Sequence, residues 1–132
     1  MPSNADWITL INYLGSHENY YYYDDESYDV PVADTSYVAK ALASTQGWPN
    51  STNTFAVGNN QGTNNASGFS AFPTGYCDGS LFFAAGDGAY FRSSTQNSSN
   101  SATYISLSYD GACVIWDYSS LHYGLSVRCI RD

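Results

Sequence analysis

Positive charge is nearly missing from this sequence: Lys40, Arg92, Arg128 and Arg131 stand against 12 acidic residues, for a formal net charge of −8. Phosphate backbones are held by clustered Lys and Arg, so nucleic acid is excluded as a partner, and anionic membrane surfaces are disfavoured for the same reason. No apolar run approaches the roughly 20 residues of a membrane span, so direct membrane insertion is not expected. Cysteine is sparse as well. Cys77, Cys113 and Cys129 form no Cys-x-x-Cys pair, which removes zinc ribbons and thioredoxin-like motifs. An odd count leaves at least one thiol unpaired within the chain. Cys113 and Cys129 are the pair that would meet if their strands are neighbours; a buried thiol acting as a small apolar residue is the competing reading. Charged residues of both signs make up 12 % of the chain, about half the usual quarter.

Catalytic groupings are also absent. His17 and His122 lie far apart in sequence, and no Gly-x-Ser-x-Gly elbow occurs, so a nucleophile–His–carboxylate arrangement has no anchor. No enzyme activity, cofactor or metal is expected. The acidic run from Glu18 to Asp34, with Asp24, Asp25, Glu26 and Asp29, lacks EF-hand spacing and reads as a solvated loop rather than a calcium site.

What the chain does contain is tyrosine, 13 residues of it, with abundant Ser, Asn and Thr. Neutral polar groups and amphipathic rings suit an extracellular or virion module that touches other molecules through hydrogen bonds and ring faces. At 132 residues a single domain with a real core is expected. Residues 3 to 14 read as an amphipathic helix: Ser3 or Asn4 caps it, Asp6 sits in the first turn, and Trp7, Leu10, Ile11 and Leu14 share one face. Gly15 is a natural stop. A tyrosine-rich loop with Tyr20 to Tyr23 follows, then a short helix from about Ser36 to Ala43, ended by Gly47-Trp48-Pro49. Residues 50 to 68 have turn-and-loop composition and must be organised by their own Asn and Ser side chains. From Ser70 the pattern turns to β, with runs at 81–84, 89–91, 102–107, 112–116 and 125–130. Asp110-Gly111 is a type I′ hairpin signal between the third and fourth runs. Helices followed by an antiparallel meander predict an α+β fold with long ordered loops.

Several phrases go further. They are Pro2-Ser3-Asn4-Ala5-Asp6-Trp7, Val38 to Ser44, Gly47-Trp48, Asn64 to Pro73, Ser93-Ser94-Thr95, Leu107-Ser108-Tyr109-Asp110 and the closing Gly124 to Asp132. In that order, and over nearly the whole chain, they resemble the Fibrobacter succinogenes major paralogous domain, a family of bacterial surface modules. The resemblance implies a C-type lectin-like scaffold, two helices and a small twisted antiparallel sheet, more distantly related to formylglycine-generating enzymes. It also implies use as a variable protein of diversity-generating retroelements, in which a C-terminal segment is mutated at chosen codons and displayed for ligand binding without catalysis. The chain departs from the pattern in lacking a strand and a Cys-Pro-x-Gly-Trp-like segment before the first helix, in Arg92 where an aromatic is usual, in Leu125 for Phe, and in the insertion at 17–35. The first departure predicts a single domain, 1–132, without the N-terminal segments of a longer parent.

Within 92–122, Leu107, Tyr109 and Val114, and beyond it Val127 and Cys129, read as scaffold. The candidate ligand-binding residues are Arg92, Thr103, Ile105, Ile115, Trp116, Asp117, Tyr118, Ser119 and His122, most of which an adenine-rich Asn codon reaches by mutation at adenine; Trp116 requires an Arg codon instead. The competing reading makes 115–122 an ordinary solvated loop with Trp116 folded onto the core. Arg128 and Arg131 are expected to pair with carboxylates such as Asp110 or Asp132. The expected partner is a protein or glycan on another cell, at a bacterial surface or a phage virion; the alternative is a constant envelope or adhesin module without a variable face. Trp116-Asp117 is only a fragment of the triplets that hold calcium in sugar-binding C-type lectins, so no calcium requirement is expected.

Overall fold

The computed structural model describes residues 1–16 and 38–131. The tyrosine-rich acidic segment, Tyr20 to Tyr23, His17, and the expected helix start at Ser36 lie outside the described residues. Helix α1, Asn4–Gly15, begins with a reciprocal cap. The Ser3 hydroxyl accepts from the Asp6 amide at 3.3 Å, and the Asp6 carboxylate accepts from the Ser3 amide at 2.8 Å. Two orphan donors of the first turn are thereby satisfied, and the hydrogen bonds from Ser3 hold the Asp6 carboxyl below its usual range. Trp7, Ile11 and Leu14 are buried, while Leu10 packs half-buried at the edge of the same stripe. Gly15 closes the helix without a left-handed turn; the Ser16 amide donates to Asn12 O at 3.0 Å instead. Among the described residues helix α2 covers Ala39–Leu42, ending one residue before the expected Ala43.

The loops between α2 and the sheet are ordered by side-chain amides, as their composition requires. Buried Asn64 donates to Ser44 O and Val57 O, both at 3.0 Å. Gln61 brackets the Trp48 backbone, accepting from its N–H at 3.2 Å and donating to its carbonyl at 2.8 Å. The Lys40 ammonium donates to Ala56 O and Asn59 O; burial lowers its pKa from the ordinary lysine value. At Gly58 an added Cβ would lie 2.2 Å from Pro49 O, so the close approach of backbone to backbone there requires glycine.

Strands β1, Tyr76–Cys77, and β2, Phe82–Phe83, form a small hairpin. The main sheet is antiparallel, in the order β3 (Gly88–Ser98), β4 (Ser101–Ser108), β5 (Ile115–Ser120). Two strand readings change. β5 starts at Ile115 rather than Ala112 and runs on to Ser120, past the expected end at Trp116 and into the segment that the competing reading made a solvated loop. Residues 125–130 are no strand: Gly124 and Ser126 make isolated bridges to Cys77 and Phe91, Val127 and Cys129 are exposed rather than scaffold, and Ile130 is exposed as well. No type I′ turn forms at Asp110-Gly111. Gly111 N instead donates to Ser108 O at 3.2 Å, neither Asp110 nor Gly111 has positive φ, and the β4–β5 connection spans 109–114. No disulfide joins Cys113 to Cys129, and neither residue lies in a strand.

Direct pairing fixes which side chains share a sheet face. Phe91, Ile105 and Trp116 are in register across the three strands, and so are Arg92, Tyr104 and Asp117. The first row faces α1. Trp7, Phe69 and Phe91 meet there with centroids 5.3–6.0 Å apart, and Arg128 lies over the Phe69 ring, 4.8 Å from its centroid, in a cation–π contact; of its expected partners, Asp132 lies outside the described residues. The second row faces away from the core. Between Arg92 and Gln96 the β3–β4 register shifts, and the freed residues tie down the entry of α1: Ser94 N donates to Pro2 O at 2.8 Å and Asn4 N to Thr95 Oγ1 at 2.9 Å.

Candidate functional site

Alternation along β3 and β4 sends Tyr90 and Tyr104 to the face opposite Phe91 and Ile105. There they border a cleft of about 570 Å³ that Tyr76 from β1 and Tyr123 from the turn after β5 also line. The rings form a file. Tyr76 stacks on Tyr123 at 5.9 Å and 11°, meets Tyr90 edge-on at 4.9 Å, and Tyr90 lies 6.0 Å from Tyr104. Phe83 continues the file, stacked on Tyr76 at 5.5 Å. The remaining lining is Asn100, Ser101, Tyr118, Ser119, Ser120 and Leu125. Among the described residues the lining therefore presents ring faces, hydroxyls and one amide, with no carboxylate, ammonium, imidazole or thiol.

Two of those hydroxyls, on Tyr104 and Tyr90, are held further from ionisation than an ordinary phenol. Burial, then the Asp117 carboxylate, raises Tyr104 from the ordinary 10.0 to about 12; its hydroxyl donates to Asp117 Oδ2 at 3.3 Å. Burial, with Tyr76 and Asp87 adding to it, raises Tyr90 too. At neutral pH each is both a donor and an acceptor.

Behind one wall lies Arg92, only 8 % exposed. Its guanidinium donates to Tyr123 O at 2.9 Å, Ser119 Oγ at 3.0 Å and Ser120 O at 3.1 Å, with longer contacts to Ala102 O at 3.3 Å and Ser119 O at 3.4 Å. Burial lowers its pKa, yet an arginine stays charged in protein. This fork joins β3, the end of β5 and the turn that carries Tyr123. It braces the cleft rather than offering charge to a ligand, which corrects its place among the contact residues.

The other candidates divide by sheet face. Ile105 is fully buried between Phe91 and Trp116; it shares the core face with Leu107, two residues on, and is not available for contact. Trp116 is half-buried against the core. Thr103 faces α1, accepting from Asn4 Nδ2 at 3.3 Å. Ile115, Asp117, Tyr118 and His122 are exposed, and of the nine only Tyr118 and Ser119 line the cleft. Tyr76, Tyr90, Tyr104 and Tyr123 were not among the candidates. Two of them were within reach of strand alternation: once Leu107 is core, Tyr104 must face the other way, and its partner strand places Tyr90 beside it. Tyr76 and Tyr123 carry no local signal.

The family model of the Fibrobacter succinogenes major domain matches residues 1–131. No curated protein and no solved structure matches the chain.

Proposed function

We propose, on the premise that this chain belongs to the Fibrobacter succinogenes major domain family, that it is a non-catalytic ligand-binding domain displayed outside the cell, on a bacterial surface or a phage. The tyrosine-lined cleft, about 570 Å³ in volume, carries the reading. Small-molecule clefts run roughly 300–1,000 Å³, with mainly apolar walls and a few convergent polar groups. A lining without an ionisable group near neutrality supports binding over proton-transfer chemistry. Among the described residues no helix is long and apolar enough to cross a membrane.

In its finer form the proposal makes 92–122 a retroelement-diversified segment on a C-type lectin-like scaffold. The accessible members of that segment, Asp117, Tyr118, Ser119 and His122, are residues that an Asn codon yields by mutation at adenine, and this supports it. A near-identical template repeat beside a reverse transcriptase gene is the expected neighbour; its absence points to a constant surface module. Binding itself is tested on combined glycan and protein arrays with wild type, Tyr104→Ala and Tyr118→Ala. The expected outcome is a ligand whose signal falls about tenfold or more in Tyr104→Ala. A ligand bound equally by all three places the site elsewhere.

A further inference from the structure

We infer that the cleft takes a neutral carbohydrate, one or two sugar rings laid against the tyrosine file, with no metal ion in the contact. This rests on the ligand-binding reading and names its ligand class. Sugar rings present C–H-rich faces and an equatorial belt of hydroxyls. The faces match the rings of Tyr90 and Tyr104 that border the cleft, while Tyr76, stacked on both Phe83 and Tyr123, holds the file together; the belt matches the phenol hydroxyls and the Ser119, Ser120 and Asn100 groups around them.

Charge selects against the acidic alternatives. The chain carries −8 overall. The guanidinium nearest the cleft, that of Arg92, is occupied by the carbonyls of Ser120 and Tyr123 and the hydroxyl of Ser119. An anionic sugar, a phosphate or a sulfate would thus find no unengaged counter-charge among the lining residues and would give up water without a charged partner in return. A wholly apolar ligand fails for the converse reason, because it would strip water from the hydroxyls and return no hydrogen bond. Cleft size limits the rest: 570 Å³ admits a glycan terminus but not a folded surface.

The test is titration, in EDTA, of short neutral oligosaccharides of glucose, galactose, mannose and N-acetylhexosamines, against the same sugars capped with sialic or uronic acid. Tyrosine fluorescence and calorimetry report binding, and a peptide array runs in parallel. A neutral sugar is expected to bind, to lose about tenfold or more in affinity in both Tyr104→Ala and Tyr76→Ala, and to lose affinity on acidic capping. Tyr118→Ala, at a side chain 62 % exposed, tests the rim with the fold intact; near-UV circular dichroism checks all three variants. Binding of acidic sugars or peptides alone, abolished by Tyr104→Ala, would overturn the neutral-carbohydrate assignment and leave the binding domain standing. Binding of no member of either panel would overturn both.

Discussion

Replacing Arg92 by Met is a demanding test of the site, because burial and hydrogen bonding pull in opposite directions. The three shorter contacts, 2.9–3.1 Å, are charge-assisted and at about 1.5 kcal/mol each would contribute roughly 4–5 kcal/mol. Desolvating the guanidinium offsets part of this, as buried charges often do. The carbonyls of Ser120 and Tyr123 are near enough to solvent to regain water when Arg92 is gone. A net loss of about 2 kcal/mol is expected, which for a domain of this size lowers Tm by roughly 6–10 °C. Arg92→Lys keeps the charge but loses the planar fork, and recovers less than half of that. Urea denaturation followed by tryptophan fluorescence gives the global number, and amide exchange gives the local one: protection should fall at 119–123 and persist along the β3–β4 ladder. An Arg92→Met protein that melts within about 1 °C of wild type, with unchanged exchange at 119–123, refutes the bracing role.

Other outcomes follow from the same geometry. Gly75 has φ +68, and an added Cβ would lie 2.1 Å from Phe83 O; Gly75→Ala should cost about 3 kcal/mol and displace Tyr76, whereas Gly68→Ala, at φ +75 with open space around it, should cost about 1 kcal/mol. Equal melting temperatures for the two would contradict the close contact. Tyr104 rises from 10.0 to about 12 in the folded state, so the unfolded chain releases its proton first. The stability it contributes is complete below pH 10 and is lost as pH rises toward 12; Tyr104→Phe should flatten that part of the urea-stability profile, and an unchanged slope would count against it. Calcium should leave Tm unmoved, a marked rise being the contrary result.

Helix α1 was legible to within a residue at each end because its evidence is local: Ser3 and Asp6 cap each other, and Trp7, Ile11 and Leu14 repeat on one face. β4 was legible for a similar reason. β5 was not, because Ile115-Trp116-Asp117-Tyr118 puts an apolar and a charged residue on one face and two aromatics on the other, Tyr118 being exposed, and an edge strand with one side in water need not alternate cleanly. The apolar spacing of Leu125, Val127 and Ile130 imitates a strand, yet only Ser126 finds a backbone partner on β3, through bonds of 2.9 Å to Tyr90 and Arg92. The cleft was hidden for a different reason. Its tyrosines come from β1, β3, β4 and a turn, and only the pairing register brings them together, which one-dimensional spacing does not encode. The bracing task of Arg92 is not legible either, since a lone arginine in a strand does not reveal that carbonyls surround it.

The fastening of Pro2 to Ser94 has a mechanical consequence. Ser126 is fastened to the same strand two residues away, at Arg92. A pull applied through residues 2 and 126 therefore enters and leaves the domain along one short stretch of β3. Helix α1, the loops of 43–75 and the β4–β5 half of the cleft stand outside that line of tension. Under the proposed display of a binding domain at a surface, flow would load this one strand before it reached the rest of the cleft. In single-molecule stretching this predicts a ligand lifetime that hardly changes until the Pro2 or Ser126 bonds give way.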